Sequence, residues 1–360
     1  MDLVIKIPLT NEHNISYFGN IGIGTPRIVQ RVSFNTAAHE IWIANNIQGM
    51  NNPYVAFESS TCDYGPDSEA NLQVRPFYDL NMTAIRRTDK FWAGNRTMRS
   101  VFCAVYDVNP VYYSELTTWT GIVGLSFSPP APHYAPRFGK LRFPLFSTMM
   151  NANMLFGNIF SVWMRNYNDV GPDGGAIVFG AANSDHFDEE QGHEHYDLVD
   201  GCSEWMIQTS FVAVGQNREI QGGKALIHTA SPYIFGPSRI IRAINTQILG
   251  GRRRRRRHQQ IIMGEEVEDE DSHVFTHDEM LTAHNMPNVS FVFSGSDRVY
   301  TLRPNEYIIQ VGGQYVSAFR PMHFSSPTAE HYTLGMPFLR RYHSLFNFEE
   351  RKIGFAPSNP

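Results

Sequence analysis

Apolar and polar positions alternate along much of this chain, the pattern of strands that bury one face. The stretch 17–24, Tyr-Phe-Gly-Asn-Ile-Gly-Ile-Gly, alternates with small residues and ends at Thr25-Pro26, a turn signal. Short apolar runs at 32–34, 40–43, 176–180, 205–208, 211–214 and 289–293 predict further strands. Many short strands separated by turn residues predict a mostly β architecture of sandwich or barrel type. Helical patches are fewer. One covers 146–151. A clearer one covers 237–245, opened by Pro237 and Ser238, with Ile240, Ile241 and Ile244 on one face.

A weak internal repeat runs through the pattern. Each half holds a hydrophobic-x-Thr-Ala segment, Phe34-Asn35-Thr36-Ala37 and Ile227-His228-Thr229-Ala230. Each also holds a later strand ending in glycine, Ile122-Val123-Gly124 and Thr333-Leu334-Gly335. At 360 residues the chain is long enough for two lobes with their own cores. The turn-rich stretch 168–175 places the boundary, giving lobes 1–170 and 171–360. One segment breaks the pattern. Six arginines at 252–257 precede an acidic run at 265–271. Like charges this dense cannot build a core, so a solvated loop inserted around 251–272 is expected. The arginines could serve nuclear import or nucleic-acid contact, but the acidic run competes for them, and a nucleic-acid partner is not expected.

Composition narrows the classes. The chain is 42% hydrophobic and 18% charged, with a net charge of -5, an ordinary globular balance that names no partner. No apolar run reaches the length of a membrane span, so no membrane partner is expected. The first residues, Met1-Asp2-Leu3-Val4-Ile5-Lys6-Ile7-Pro8, do not read as a signal peptide. That implies an intracellular protein if Met1 is the true start, and a secreted or vesicular one if a leader has been removed. Three cysteines allow at most one bridge. A Cys62–Cys103 pair is open, and three unpaired thiols are the simpler expectation. Sequons begin at Asn14, Asn81, Asn95 and Asn288, where about three would arise by chance. His193 and His195 share one face of a strand. With no third ligand in view, solvent-exposed histidines and no metal are expected. His323, His331 and His343 show no pattern. No phosphate-cradling glycine motif, zinc cysteine pair or hydrolase serine motif occurs, so no cofactor is expected.

Five segments in order resemble the pepsin-like aspartic proteases, the peptidase A1 type. They are Ile7-Pro8-Leu9-Thr10 with 17–26, Thr120-Gly121-Ile122-Val123-Gly124-Leu125, the stretch 225–237, the stretch 332–340 (Tyr-Thr-Leu-Gly-Met-Pro-Phe-Leu-Arg), and the closing 346–356. The resemblance implies a bilobal pepsin-like acid protease fold with a cleft between two β lobes. It implies one catalytic aspartate from each lobe, the two sharing a proton. One would act as base on a water and the other would donate to the scissile carbonyl.

The sequence departs from that pattern at the catalytic points. Asn35 and His228 stand where the two aspartates are expected, and Ala37 and Ala230 where the signature glycines are expected. An amide cannot accept the proton of an attacking water. The family's threonines remain as Thr36 and Thr229, whose hydroxyls would lock the lobes together. The substrate-covering hairpin corresponds to 72–79, with Pro76 at the family's tyrosine, or Tyr78 after a two-residue slip, and no glycine at its tip. The expectation is a catalytically inactive homologue, a monomeric pseudoprotease that holds a peptide or protein in the cleft. Thr36, Ala37, Thr229, Ala230, Pro76, Phe77 and Tyr78 would line it. His228 is expected to be buried and neutral, hydrogen-bonded to Asn35 across the lobe interface, its basicity lowered by desolvation. Two alternatives stand beside this: an interaction protein working through the charged insertion, and a weak endopeptidase using His228 as base.

Overall fold

The computed structural model describes residues 3–47, 52–64, 72–77, 80–107, 120–127, 144–165, 173–250, 260–262, 265–267, 274–322 and 330–359. Its strands run in chain order. β1 (Ile5–Glu12), β2 (Ser16–Ile23), β3 (Ile28–Asn35), β4 (Ile41–Ala44), β5 (Leu72–Phe77), β6 (Leu80–Ala93), β7 (Arg96–Asp107) and β8 (Gly121–Gly124) come first. β9 (Ile159–Met164), β10 (Gly175–Phe179), β11 (Glu194–Asp197), β12 (Met206–Val214), β13 (Asn217–Ile227), β14 (Ile234–Pro237), β15 (Gln260–Ile262) and β16 (Glu265–Val267) follow. The last nine are β17 (Val274–Phe275), β18 (Val289–Phe293), β19 (Val299–Leu302), β20 (Ile308–Val311), β21 (Gln314–Ser317), β22 (Phe319–Met322), β23 (Tyr332–Leu334), β24 (Tyr342–Asn347) and β25 (Lys352–Pro357).

The strands form where period-two burial is available. In β1, Ile5, Ile7 and Leu9 are buried while Lys6, Pro8 and Thr10 face out. β8 and β10 are buried on both faces and accordingly carry only apolar or small residues. Thirteen strands make one sheet in the order β11-β25-β24-β9-β10-β1-β2-β3-β8-β4-β7-β6-β5. Seven make a second, β19-β18-β12-β13-β23-β14-β22. The final hairpin, β24–β25, thus joins the sheet built mainly by the first half of the chain. The proposed lobe boundary at 170 falls outside the described residues.

The internal repeat has a topological meaning. β8 lies parallel to β3 and antiparallel to β4. β23 likewise lies parallel to β13 and antiparallel to β14. Each half therefore threads a later strand between the two arms of a loop. The glycines ending β8 and β23 permit this threading. A Cβ on Gly124 would sit 2.6 Å from the Ala38 carbonyl oxygen, and one on Gly335 2.3 Å from those of Ser231 and Tyr233.

Trp205 stitches the halves together. It is fully buried, and its indole N–H donates to the Leu125 carbonyl at 2.8 Å. Its ring packs on Phe127, Phe160 and Phe346 at centroid distances of 4.5, 5.7 and 5.1 Å.

Several expectations change in detail. The apolar runs at 205–208 and 211–214 are one strand, β12, with register shifts on both sides of Phe211 and Val212. The helix expected at 237–245 spans Ser238–Leu249 and ends at Gly250 in the left-handed conformation, φ 55°. The charged insertion is not loop throughout. At 260–267 its backbone pairs as the hairpin β15–β16, with Ile261 opposite Glu266, and the arginine run lies outside the described residues. Cys62, Cys103 and Cys202 form no disulfide. No helix among the described residues is long and apolar enough to cross a membrane.

Candidate functional site

The two hydrophobic-x-Thr-Ala segments end β3 and β13 and meet at the centre of the molecule. Each makes the same turn. The Ala38 N–H donates to the Asn35 carbonyl at 3.3 Å, and the Ser231 N–H donates to the His228 carbonyl at 3.2 Å. The threaded strands hold the turns from below. The Leu125 N–H reaches the Asn35 carbonyl at 2.9 Å, and the His228 N–H reaches the Leu334 carbonyl at 3.0 Å.

Between the turns, Thr36 and Thr229 bond reciprocally. The Thr36 hydroxyl donates to the Ile227 carbonyl at 2.6 Å and accepts from the Thr229 N–H at 3.1 Å. The Thr229 hydroxyl donates to the Phe34 carbonyl at 2.6 Å and accepts from the Thr36 N–H at 3.1 Å. Both threonines are buried, and four backbone groups find partners across this junction.

Asn35 and His228 flank the junction symmetrically, each one residue before its threonine, and both are buried. The Asn35 side-chain oxygen accepts from the Ala37 N–H at 2.8 Å, which folds the amide back over its own turn. Burial pushes the His228 imidazole from its ordinary 6.5 down to about 4, so the ring is neutral at pH 7. The structure buries His228, as expected. Ala37 and Ala230, the next pair outward, are half-buried.

The other candidate lining residues lie on the β5–β6 hairpin. Pro76 pairs with Asn81 and Phe77 with Leu80. Only the backbone is described at Pro76 and Phe77, and Tyr78 lies outside the described residues.

The expectation for His193 is corrected. It does not stand in solvent but is half-buried, its Nε2 2.8 Å from Nδ1 of the fully buried His343. His195 is exposed, as expected. Sequence spacing could not show the pair, because 150 residues separate its members. Among the described residues no group of three or more histidine, cysteine or acidic side chains is arranged to hold a metal.

Comparison with known proteins agrees with this geometry. The family model for eukaryotic aspartyl proteases matches residues 16–358. Mouse renin-2 is 25% identical, over 99% of this chain and 82% of the relative. Cathepsin E from Aquarana catesbeiana is 27% identical, over 97% of this chain and 81% of its own length. Pepsin A from Rhinolophus ferrumequinum is 24% identical, over 97% and 83%. The chain belongs to the eukaryotic aspartyl protease family, and its fold is the bilobal, β-rich fold of the pepsin-like members.

Proposed function

We propose that this chain is a non-cleaving member of its family that binds an extended peptide or protein segment between two lobes, 1–170 and 171–360. The observation that carries the reading is the Thr36–Thr229 junction, which is fully bonded while the residues it presents, Asn35 and His228, bring no carboxylate. Acid-base hydrolysis by a carboxylate pair needs one member to take a proton from water and the other to give one. Asn35 can do neither, and its oxygen is already engaged by the Ala37 N–H. A fully bonded junction that presents neutral residues supports holding a strand by backbone hydrogen bonds rather than cutting it.

The reading with His228 as a lone base is weaker on physical grounds. An imidazole that burial holds near 4 is a poor proton acceptor for water.

Binding is tested by fluorescence anisotropy with a library of labelled 8–12-residue peptides at neutral pH. The wild type and a variant lacking residues 252–271 are compared. Saturable binding of extended peptides that survives the deletion is the expected result. Binding that disappears with the deletion assigns recognition to the charged insertion instead. No saturable binding by either protein overturns the peptide-binding reading.

A further inference from the structure

The imidazoles of His193 and His343 are hydrogen-bonded to each other inside the protein, at 2.8 Å. His343 is fully buried on β24. His193 immediately precedes β11, the edge strand paired to β25. Phe187 closes the cluster, its ring centroid 4.3 Å from His193 and 4.9 Å from His343. Phe187 is itself bridged to Ser358, just after β25. The backbone of β25 presses against the same group. A Cβ on Gly354 would meet His195 Cε1 at 2.9 Å and His193 Cβ at 3.0 Å. The stretch 181–197 is the connection that carries the chain from β10 in the larger sheet towards β12 in the smaller one.

We propose that the His193–His343 pair is an acid-operated latch that pins this connection to the chain's C-terminal strands when neutral and releases it when protonated.

In the neutral pair the two facing nitrogens satisfy each other, one donating and the other accepting. A single added proton leaves that bond in place but puts an unpaired charge in a buried aromatic setting. The Nε2 of His343 has no hydrogen-bond partner, so an N–H there finds no acceptor. A second proton makes both facing nitrogens donors, and they repel. The surroundings give the charge no relief. His195 and Arg298 face His193, and His186 faces His343. Lys6 and Arg165 oppose a charge on His186, and Asp185 favours one. The charge of Glu194 is felt at Tyr196 and Tyr300. Asp197, mostly exposed, pairs with Lys352 at 3.8 Å. Burial and these neighbours hold His193 down to about 4 and His343 well below the ordinary value.

The sign follows from linkage. Both imidazoles bind protons more weakly when packed than when released. The packed connection is therefore favoured above the free-imidazole value of 6.5 and loses ground as pH falls from there towards about 4.

The test is amide hydrogen exchange on the full chain, reported as protection factors from pH 7.5 to 4.5. In the wild type, protection across 183–197 and 352–358 should fall at least tenfold over this range while β12 and β13 stay protected. The His193→Gln/His343→Phe double variant and His343→Phe alone should lose most of that pH dependence. Unchanged wild-type protection in these segments, or an equal loss in the variants, overturns the latch. Should the variants not fold, the imidazole signals of the wild type decide by NMR. Both rings staying neutral to below pH 5 supports the proposal, and titration of either near 6.5 overturns it.

Discussion

Thr36→Val and Thr229→Val should each destabilise the protein by about 2–4 kcal/mol, far beyond the loss expected for removing an exposed hydroxyl. Each change deletes one hydroxyl that both donates to a carbonyl and accepts from an N–H across the junction. Valine fills the same space, so packing is nearly preserved and the cost is polar. Two backbone groups are left buried without partners, each costing about 1–3 kcal/mol. The two threonines share one network, their hydroxyl oxygens 3.5 Å apart, so the double variant should lose less than the sum of the singles. Equilibrium urea unfolding of the four proteins measures this. Additive losses below about 1 kcal/mol each would mean that the junction does not tie the two turns together.

The second large effect is a dependence of global stability on pH through His228. Its folded value near 4 lies below the 6.5 of a free imidazole, and burial is the cause. As pH falls through that window, the unfolded chain takes the proton first and the folded state loses ground. Stability should therefore be full above pH 6.5 and decline towards pH 4. A gap of this size corresponds to about 3 kcal/mol at its lower end. His228→Gln removes the titration and should flatten the curve by about that amount, leaving the slope contributed by other groups. Urea unfolding at pH 7.5, 6, 5 and 4.5 reads it directly. A variant whose pH slope equals that of the wild type would show that His228 is not neutral and buried in the folded protein. This global measurement is separate from the local release at His193 and His343, which is read in protection of one segment.

Much of this was legible in the sequence because it depends on local pattern. The alternation over 17–24, closed by Thr25-Pro26, marks β2 and the turn that ends it. The Thr-Ala repeat with its glycine-ended partner strand marked both central turns, together with the residues Asn35 and His228 that they carry. What stayed hidden depends on pairings between distant residues. The Thr36–Thr229 lock spans 193 residues and leaves no local periodicity, so it was expected only through the family resemblance. The union of 205–208 with 211–214 into β12 is set by its partners β13 and β18, whose registers absorb the irregularity. His343 gave no signal because it sits in a strand whose apolar neighbours already explain its burial, and its partner lies 150 residues earlier. The hairpin at 260–267 was obscured by flanking charge runs, which dominate any composition-based reading of 251–272.

The central proposal is that the Thr36–Thr229 junction is intact while Asn35 and His228 bring no carboxylate that would cut. The most direct test is a peptide-library digest read by mass spectrometry from pH 3.5 to 7.5. It compares the wild type with the Asn35→Asp/His228→Asp variant and with His228→Ala. The account predicts a silent wild type and cleavage gained by the double aspartate variant. Cleavage by the wild type that His228→Ala abolishes would contradict it and establish hydrolysis by an imidazole.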